Sequence, residues 1–174
     1  MRGRVLTFII LAGAFCFMAG CSLSASPEKD ENVVHIETVV KEIFTGPEDE
    51  LAAIYERGGK AAFEDYMAYY EEALNSYFTD DYYTIFFNKN LPTGFHMTAF
   101  RNGYQMEVKD VTVKQNETTE TAYDFTVDVN YKKEGSEEES MEMRGRVNVN
   151  EDDKITRVVY HNGGQLILAM DPAR

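Results

Sequence analysis

Hydrophobic residues recur every three or four positions from residue 32 to residue 87, with polar and charged residues between them. This spacing is typical of helices that bury one face. Thr45-Gly46-Pro47 and Gly58-Gly59 interrupt the pattern, and both runs favour helix ends. The pattern predicts helices near Asn32–Phe44, from Pro47 to Gly58, over Lys60–Phe78 and over Asp80–Phe87, followed by a loop at residues 88–94.

From Gln105 the period changes from 3.6 to 2, which is typical of strands with one buried and one solvated face. In the first strand the apolar positions change from even to odd numbers, so we predict a bulge near Lys109–Asp110. Residues 165–170 fit either a final strand or a packed tail. The predicted strands cover roughly residues 105–115, 123–132, 141–149 and 154–161, with turns at 116–118, 133–139 and 150–153.

The second and third strands predict a hairpin in which the numbers of opposing residues sum to about 272. This register sets Phe125 against Val147, Val129 against Met143, and Asp128 against Arg144 as an opposite-charge pair. Apolar residues occur on both faces of the fourth strand. Whether Arg157 and His161 point into a cleft therefore stays open at this stage.

The order of elements predicts an α+β fold, with N-terminal helices packed on a curved antiparallel sheet of four or more strands. The long aromatic helix at residues 60–78, the short segment at 80–87 and the strands from 105 to 161 resemble the nuclear transport factor 2-like, cystatin-like group. The resemblance implies a cone whose mouth holds a ligand or an active site. Enzymes of that group place an Asp–His or similar pair in the cone. This chain has no clear counterpart, so no catalytic residue is assigned.

The first twenty residues have the features of an export signal. Arg2 and Arg4 precede the apolar run Val5–Met18, which is shorter than the roughly 20 residues of a membrane span. Met18-Ala19-Gly20-Cys21 resembles the lipobox of bacterial lipoproteins. The resemblance implies cleavage after Gly20 and a thioether-linked diacylglycerol on Cys21, usually with N-acylation by a fatty acid such as palmitate. An uncleaved anchor helix and a plain secretory signal are the alternatives.

These features divide the chain into a signal peptide (residues 1–20), a flexible tether (21–31) and a single α+β domain (32–174). The expected location is the extracytoplasmic face of the cell membrane, and the lipid on Cys21 is the expected anchor. The tether is small, polar and charged, with little to bury. Cys16 and Cys21 are the two cysteines, so the domain is expected to have no disulfide and no cysteine nucleophile.

The formal charge of −13 argues against nucleic acid as a partner and against membrane binding through a polybasic patch. An acidic surface repels both the phosphates of nucleic acids and anionic lipid headgroups. The sequence has no clustered His/Cys pattern for zinc. The acidic runs Glu137–Glu139 and Glu151–Asp153 do not follow a calcium-loop pattern. We therefore expect neither a metal nor a cofactor.

Two functional hypotheses follow. The first is a non-catalytic accessory module of the cell envelope that binds a ligand or an unidentified envelope protein. The second is an enzyme that performs acid–base chemistry in a cone-shaped cleft, with His96 or His161 near Asp65, Asp80 or Asp81. The first is favoured because no catalytic signature is present. Candidate pocket residues are Tyr66, Tyr70, Tyr83, His96 and His161.

Overall fold

The computed structural model describes residues 30–89, 91 and 93–173. The signal, Gly20, Cys21 and most of the tether lie outside the described residues. Within the described part, five α-helices precede a four-stranded antiparallel sheet and one follows it, which confirms the α+β class. The helices are α1 (Glu31–Phe44), α2 (Asp49–Arg57), α3 (Gly59–Leu74), α4 (Asp80–Asn88), α5 (Thr93–Asn102) and α6 (Gly163–Met170); the strands are β1 (Tyr104–Asn116), β2 (Thr119–Lys133), β3 (Glu139–Val149) and β4 (Ile155–Tyr160).

The predictions of α1, α2 and α4 are confirmed to within two residues. The predicted long helix ends earlier, at Leu74, and continues as a 3₁₀ turn at Asn75–Tyr77. α5 is absent from the sequence prediction. The strand alternative for residues 165–170 is wrong, because Leu166 and Met170 are buried four residues apart on one face of α6.

The strands follow one another in the order β1-β2-β3-β4, and α1, α4, α5 and α6 contact the sheet. The alternating apolar residues of β2, from Tyr123 to Tyr131, face the helices and are buried. The predicted bulge in β1 is confirmed, because the register shifts between Val108 and Asp110. All three predicted turns connect strands as expected.

The β2–β3 register differs from the prediction by two residues: opposing numbers sum to 270, as in Phe125 opposite Gly145 and Val129 opposite Met141. Asp128 consequently faces Glu142, not Arg144. Gly145 explains the choice, because a Cβ atom there would lie 2.3 Å from Cζ of Phe125. The aromatic ring fills the space that glycine leaves. A shift of two residues keeps the buried and solvated faces as predicted.

The two ends of the sheet differ in which parts of the helical layer they contact. We call the end with the turns at residues 117–118 and 150–154 the proximal end. There α1 begins, where the Tyr123 hydroxyl donates to Asp30 Oδ2 over 3.0 Å and Asn32 Nδ2 donates to Asp153 Oδ1 over 2.8 Å. At the opposite, distal end, Gly46 follows α1 and pairs with Met106 of β1.

α4 packs along β4, at one edge of the sheet. The Tyr82 hydroxyl accepts a hydrogen bond from the backbone N–H of Val158 at 2.7 Å and donates one to the Val158 carbonyl at 3.2 Å. The N–H of Thr79 donates to the Ile155 carbonyl at 3.1 Å. Phe78 forms a bridge with Ile155, so the chain that leaves α3 reaches the proximal end.

Candidate functional site

Four of the five candidate pocket residues lie in one aromatic cluster between the helices. Tyr66 and Tyr70 of α3 have ring centroids 5.3 Å apart, and Phe87 of α4 lies 5.5 Å and 5.7 Å from them, respectively. Tyr83 joins the cluster through Phe87, at 5.8 Å. His96 of α5 stacks on Tyr70 with centroids 5.9 Å apart. Tyr66 and Tyr70 of the predicted aromatic helix therefore face α4 and α5.

A hydrogen-bonded chain links Tyr55, Tyr70 and His96. The Tyr70 hydroxyl lies 2.5 Å from His96 Nδ1 and 3.3 Å from the Tyr55 hydroxyl. Tyr70 is fully buried and His96 is 1% exposed. Tyr55 is not among the pocket residues predicted from the sequence. Its only signal was a place on the apolar side of α2, and that place does not show that its hydroxyl faces Tyr70.

Burial determines the protonation of these groups. It lowers the pKa of His96 to about 4, although backbone groups of Thr45 and Glu42 oppose this effect. Burial also raises the pKa of Tyr70 and Tyr55 above that of an ordinary tyrosine. His96 is therefore neutral at pH 7. Its Nε2 is buried near Gly46 and makes no hydrogen bond within the described part of the chain.

The carboxylates proposed for acid–base chemistry lie elsewhere. Asp65 pairs with Arg57 at 2.6 Å, and both side chains are about half exposed. Asp80 and Asp81 lie in the first turn of α4. Where the structure describes the chain, the hydrogen bond of the His96 side chain goes to Tyr70 and not to any of these three carboxylates.

An apolar groove opens beside the cluster, between α2, α3 and α5, with a volume of about 270 Å³. We call it the aromatic groove. Phe63 on its rim is 60% exposed, which is unusual for so large an apolar side chain. The Tyr55 and Tyr66 rings, 5.9 Å apart, form part of its wall. The groove is lined by Ile54, Tyr55, Gly58, Gly59, Ala62, Phe63, Tyr66 and Met97.

His161 is not part of this site. The inward side of β4 carries Ile155 and Val158, whereas Arg157 and His161 are exposed on the outer face of the sheet. A bulge opposite Asn148 and Val149 changes the alternation in this strand, which is why its pattern did not show an inward face. The question left open by the sequence is thereby answered: neither side chain points into the helical layer.

Within the described residues, no group of three or more His, Cys, Asp or Glu side chains could hold a metal ion. None of the described helices is both long and apolar enough to cross a membrane. Comparisons with protein-family models, curated proteins and solved structures give no match to this chain.

Proposed function

We propose that the chain is a lipoprotein, anchored through Cys21 at the extracytoplasmic face of the cell membrane, that acts as a non-catalytic binding module of the envelope. In this proposal the aromatic groove receives an apolar part of a small ligand or of a partner protein. The observation that carries the proposal is the groove itself, with the exposed Phe63 on its rim.

The lining of the groove is suited to binding. It is apolar apart from the hydroxyls of Tyr55 and Tyr66, and pockets that bind small molecules combine an apolar lining with a few polar groups. Burying Phe63 under a ligand would remove about 100 Å² or more of apolar surface from water, which corresponds to about 2–3 kcal/mol of favourable free energy. Tyrosine contributes a large contact area and a polar tip to the same surface.

The protonation states do not favour acid–base catalysis. A general acid or base works best with a pKa near the operating pH. The pKa of His96 is about 4, and burial together with the nearby Glu71 carboxylate raises that of Tyr83 to about 12. Neither group exchanges protons readily near neutral pH, so the cluster is better suited to maintaining the shape of the groove.

The positions of the tether and the groove agree with this function. The tether joins the domain at Asp30, at the proximal end. α3 leads to Phe78 at the proximal end, so its first turns, which carry Gly59 and Phe63, lie toward the distal end. Cys21 is nine residues before Asp30, a distance of at most roughly 30 Å. In this proposal the first turns of α3 lie toward the end of the domain opposite the attachment point of the tether, so the anchor does not cover that side of the groove.

The anchor is tested by replacing Cys21. The Cys21→Ala variant is expected to retain its signal and gain no acyl mass, whereas the parent is expected to lose residues 1–20 and gain the mass of its acyl chains. Intact-mass analysis of membrane fractions measures both. Cys16→Ala is the matched control and is expected to be processed like the parent. Acylation of the Cys21→Ala protein would refute the anchor.

The groove is tested with Nile red, an uncharged apolar dye whose fluorescence rises in apolar surroundings. Phe63→Ser is expected to weaken dye binding at least five-fold. Ile85→Ser removes an apolar side chain of α4 that is 45% exposed and lies outside the groove lining, and it is expected to change binding less than two-fold. Equal losses in the two variants, or the absence of saturable binding by the parent, would contradict the groove assignment.

A further inference from the structure

A second groove lies on the outer face of the sheet, on the side away from the helices. Its volume is about 490 Å³. Within the described residues its lining contains no carboxylate, although the whole chain has a net charge of −13. We call it the outer groove. It is lined by Thr119, Ala122, Arg146, Asn148, Arg157, Val159 and His161.

The β3–β4 register gathers cationic side chains on this face. Arg157 lies opposite Asn148, two residues along β3 from Arg146, and the N–H of His161 donates to the carbonyl of Arg144 at 2.8 Å. Three of the eight arginines of the sequence therefore lie on two neighbouring strands. Arg146 and Arg157 both line the outer groove, so an anion bound there would meet cationic side chains from two strands.

Arg146 is held in place by a carboxylate behind it. Its Nε and Nη2 donate to the two carboxylate oxygens of Asp124 over 2.7 Å and 3.0 Å, and Asn116 Nδ2 donates to the same carboxylate over 2.8 Å. The Arg146 hydrogen bonds are also the main cause that lowers the pKa of Asp124. The guanidinium is thus oriented before any ligand arrives, and its Nη1 donors remain for a ligand.

Arg157 differs from the neighbouring arginines. Arg144 pairs with Glu142 at 3.3 Å and Arg146 with Asp124, whereas Arg157 forms no ion pair within the described part of the chain. Arg157 is exposed, and it lines the outer groove together with Asn148, which it faces in the register, and Thr119. The groove therefore combines an oriented cation, an uncompensated cation and two neutral hydrogen-bonding groups.

We propose that the outer groove binds a soluble phosphate monoester. Arginine matches phosphate because its planar fork donates two parallel hydrogen bonds, and two guanidinium groups from different strands reach separate oxygens of one phosphate. A phosphate monoester carries nearly two negative charges at neutral pH, which favours pairing with the uncompensated Arg157 and hydrogen bonding to the oriented Arg146. Ala122 and Val159 provide an apolar floor for the organic part. This site is separate from the aromatic groove, on the opposite face of the sheet.

Phenyl phosphate is the probe for this site, titrated calorimetrically into the purified native protein in dodecyl maltoside. Saturable binding to one site is expected. Arg157→Gln is expected to weaken it at least ten-fold with little change in the melting temperature, because this side chain forms no ion pair among the described residues. Arg101→Gln removes the same charge from α5 and is expected to weaken binding less than two-fold.

Two further ligands test the chemical class. Benzoate keeps the ring but replaces phosphate with carboxylate, and diethyl phosphate has the singly charged diester linkage of a lipid headgroup. Both are expected to bind at least five-fold more weakly than phenyl phosphate. If Arg157→Gln and Arg101→Gln weaken phenyl phosphate binding equally, the loss reflects only the change in net charge, and the proposed site is overturned. Equal binding of benzoate or diethyl phosphate would overturn the assignment to a phosphate monoester.

Discussion

His96 illustrates at the scale of one residue how burial determines chemistry. The sequence placed it among apolar neighbours, Phe95 and Met97, where a histidine is more often structural than catalytic. In the structure it is 1% exposed, bonds to Tyr70 and stays neutral at pH 7. The partner is 26 residues away in the sequence, so local spacing could not identify it.

The depressed pKa of His96 predicts a specific loss of stability in acid. The folded pKa is about 4 and the unfolded value is about 6.5, so between these values the unfolded chain binds more protons. The free energy of unfolding therefore falls as the pH is lowered through this window. From pH 7 to pH 4.5 we expect the native protein to lose about 2–3 kcal/mol more than His96→Gln, which does not titrate.

Urea denaturation of both proteins at the two pH values measures this difference. Glutamine can still form a hydrogen bond with Tyr70. The acidic side chains are the same in both proteins, so their contribution to the change in free energy of unfolding with pH cancels in the comparison. His161→Gln, on the exposed outer face, serves as the control and should follow the native protein. Parallel losses in the native and His96→Gln proteins would show that His96 is not held neutral by burial.

Gly145 gives a second prediction at this scale. A Cβ atom there would lie 2.3 Å from Phe125 Cζ and 2.4 Å from the Val159 carbonyl oxygen, and the latter belongs to the rigid backbone of β4. Gly145→Ala is expected to lower the free energy of unfolding by about 1–3 kcal/mol through overpacking.

Gly164 provides the matched comparison for the same urea measurement. It lies in α6, and a Cβ atom there meets nothing within 4 Å. Gly164→Ala is expected to leave stability unchanged or to raise it by up to about 1 kcal/mol, because alanine restricts the unfolded chain and favours helix. Similar destabilisation by both substitutions would contradict the close packing of Phe125 against Gly145.

At the scale of elements, the β2–β3 hairpin shows what alternation can and cannot specify. The pattern identified both strands and their buried faces, because apolar residues at every second position all lie on the same face of a strand. It did not fix the register, since a shift of two residues buries the same side chains. The fit of Phe125 over Gly145 selects the observed register, and that fit depends on tertiary packing.

The register predicts which charges interact across the hairpin. A double-mutant cycle with Asp124→Asn and Arg146→Gln should give a coupling of about 0.5–1 kcal/mol, because the pair is bidentate but about 40% exposed. The cycle with Asp128→Asn and Arg144→Gln should give less than half of this, since these residues are not opposite each other. Both couplings are measured by urea denaturation at low salt. A stronger coupling for Asp128 and Arg144 than for Asp124 and Arg146 would instead support the predicted register, in which opposing residue numbers sum to 272.

α5 and α6 are the elements that sequence reasoning missed or left undecided. α5 follows a loop rich in Asn, Pro and Gly, and its short segment from Thr93 to Asn102 mixes apolar, polar and small residues without a clear stripe. α6 has eight residues and an apolar run at its centre, and a short run of that kind fits a strand or a helix equally well. Burial of His96 and Leu166 identifies the inward faces only once the sheet is present.

At the scale of the molecule, the order of elements was sufficient to predict the α+β class. The aromatic site was predicted in part: Tyr66 and Tyr70 were identified by the three- to four-residue spacing of aromatic residues in α3, and His96 was identified as a lone histidine between apolar residues. The outer groove could not be predicted, because it needs the β3–β4 register and the bulge that turns Arg157 and His161 outward. Long-range register is a property of the assembled sheet.

The Tyr82 hydroxyl has a consequence for molecules crowded together. An outer strand ordinarily offers unpaired N–H and C=O groups, on which a second chain can add a strand and begin aggregation. At Val158 both groups are already bonded to Tyr82, and at Ile155 the carbonyl is bonded to Thr79. The segment at Thr79 and Tyr82 thus occupies three of the groups on which a neighbouring copy would add a strand, so this margin of the sheet is a poorer template for aggregation than a bare edge strand.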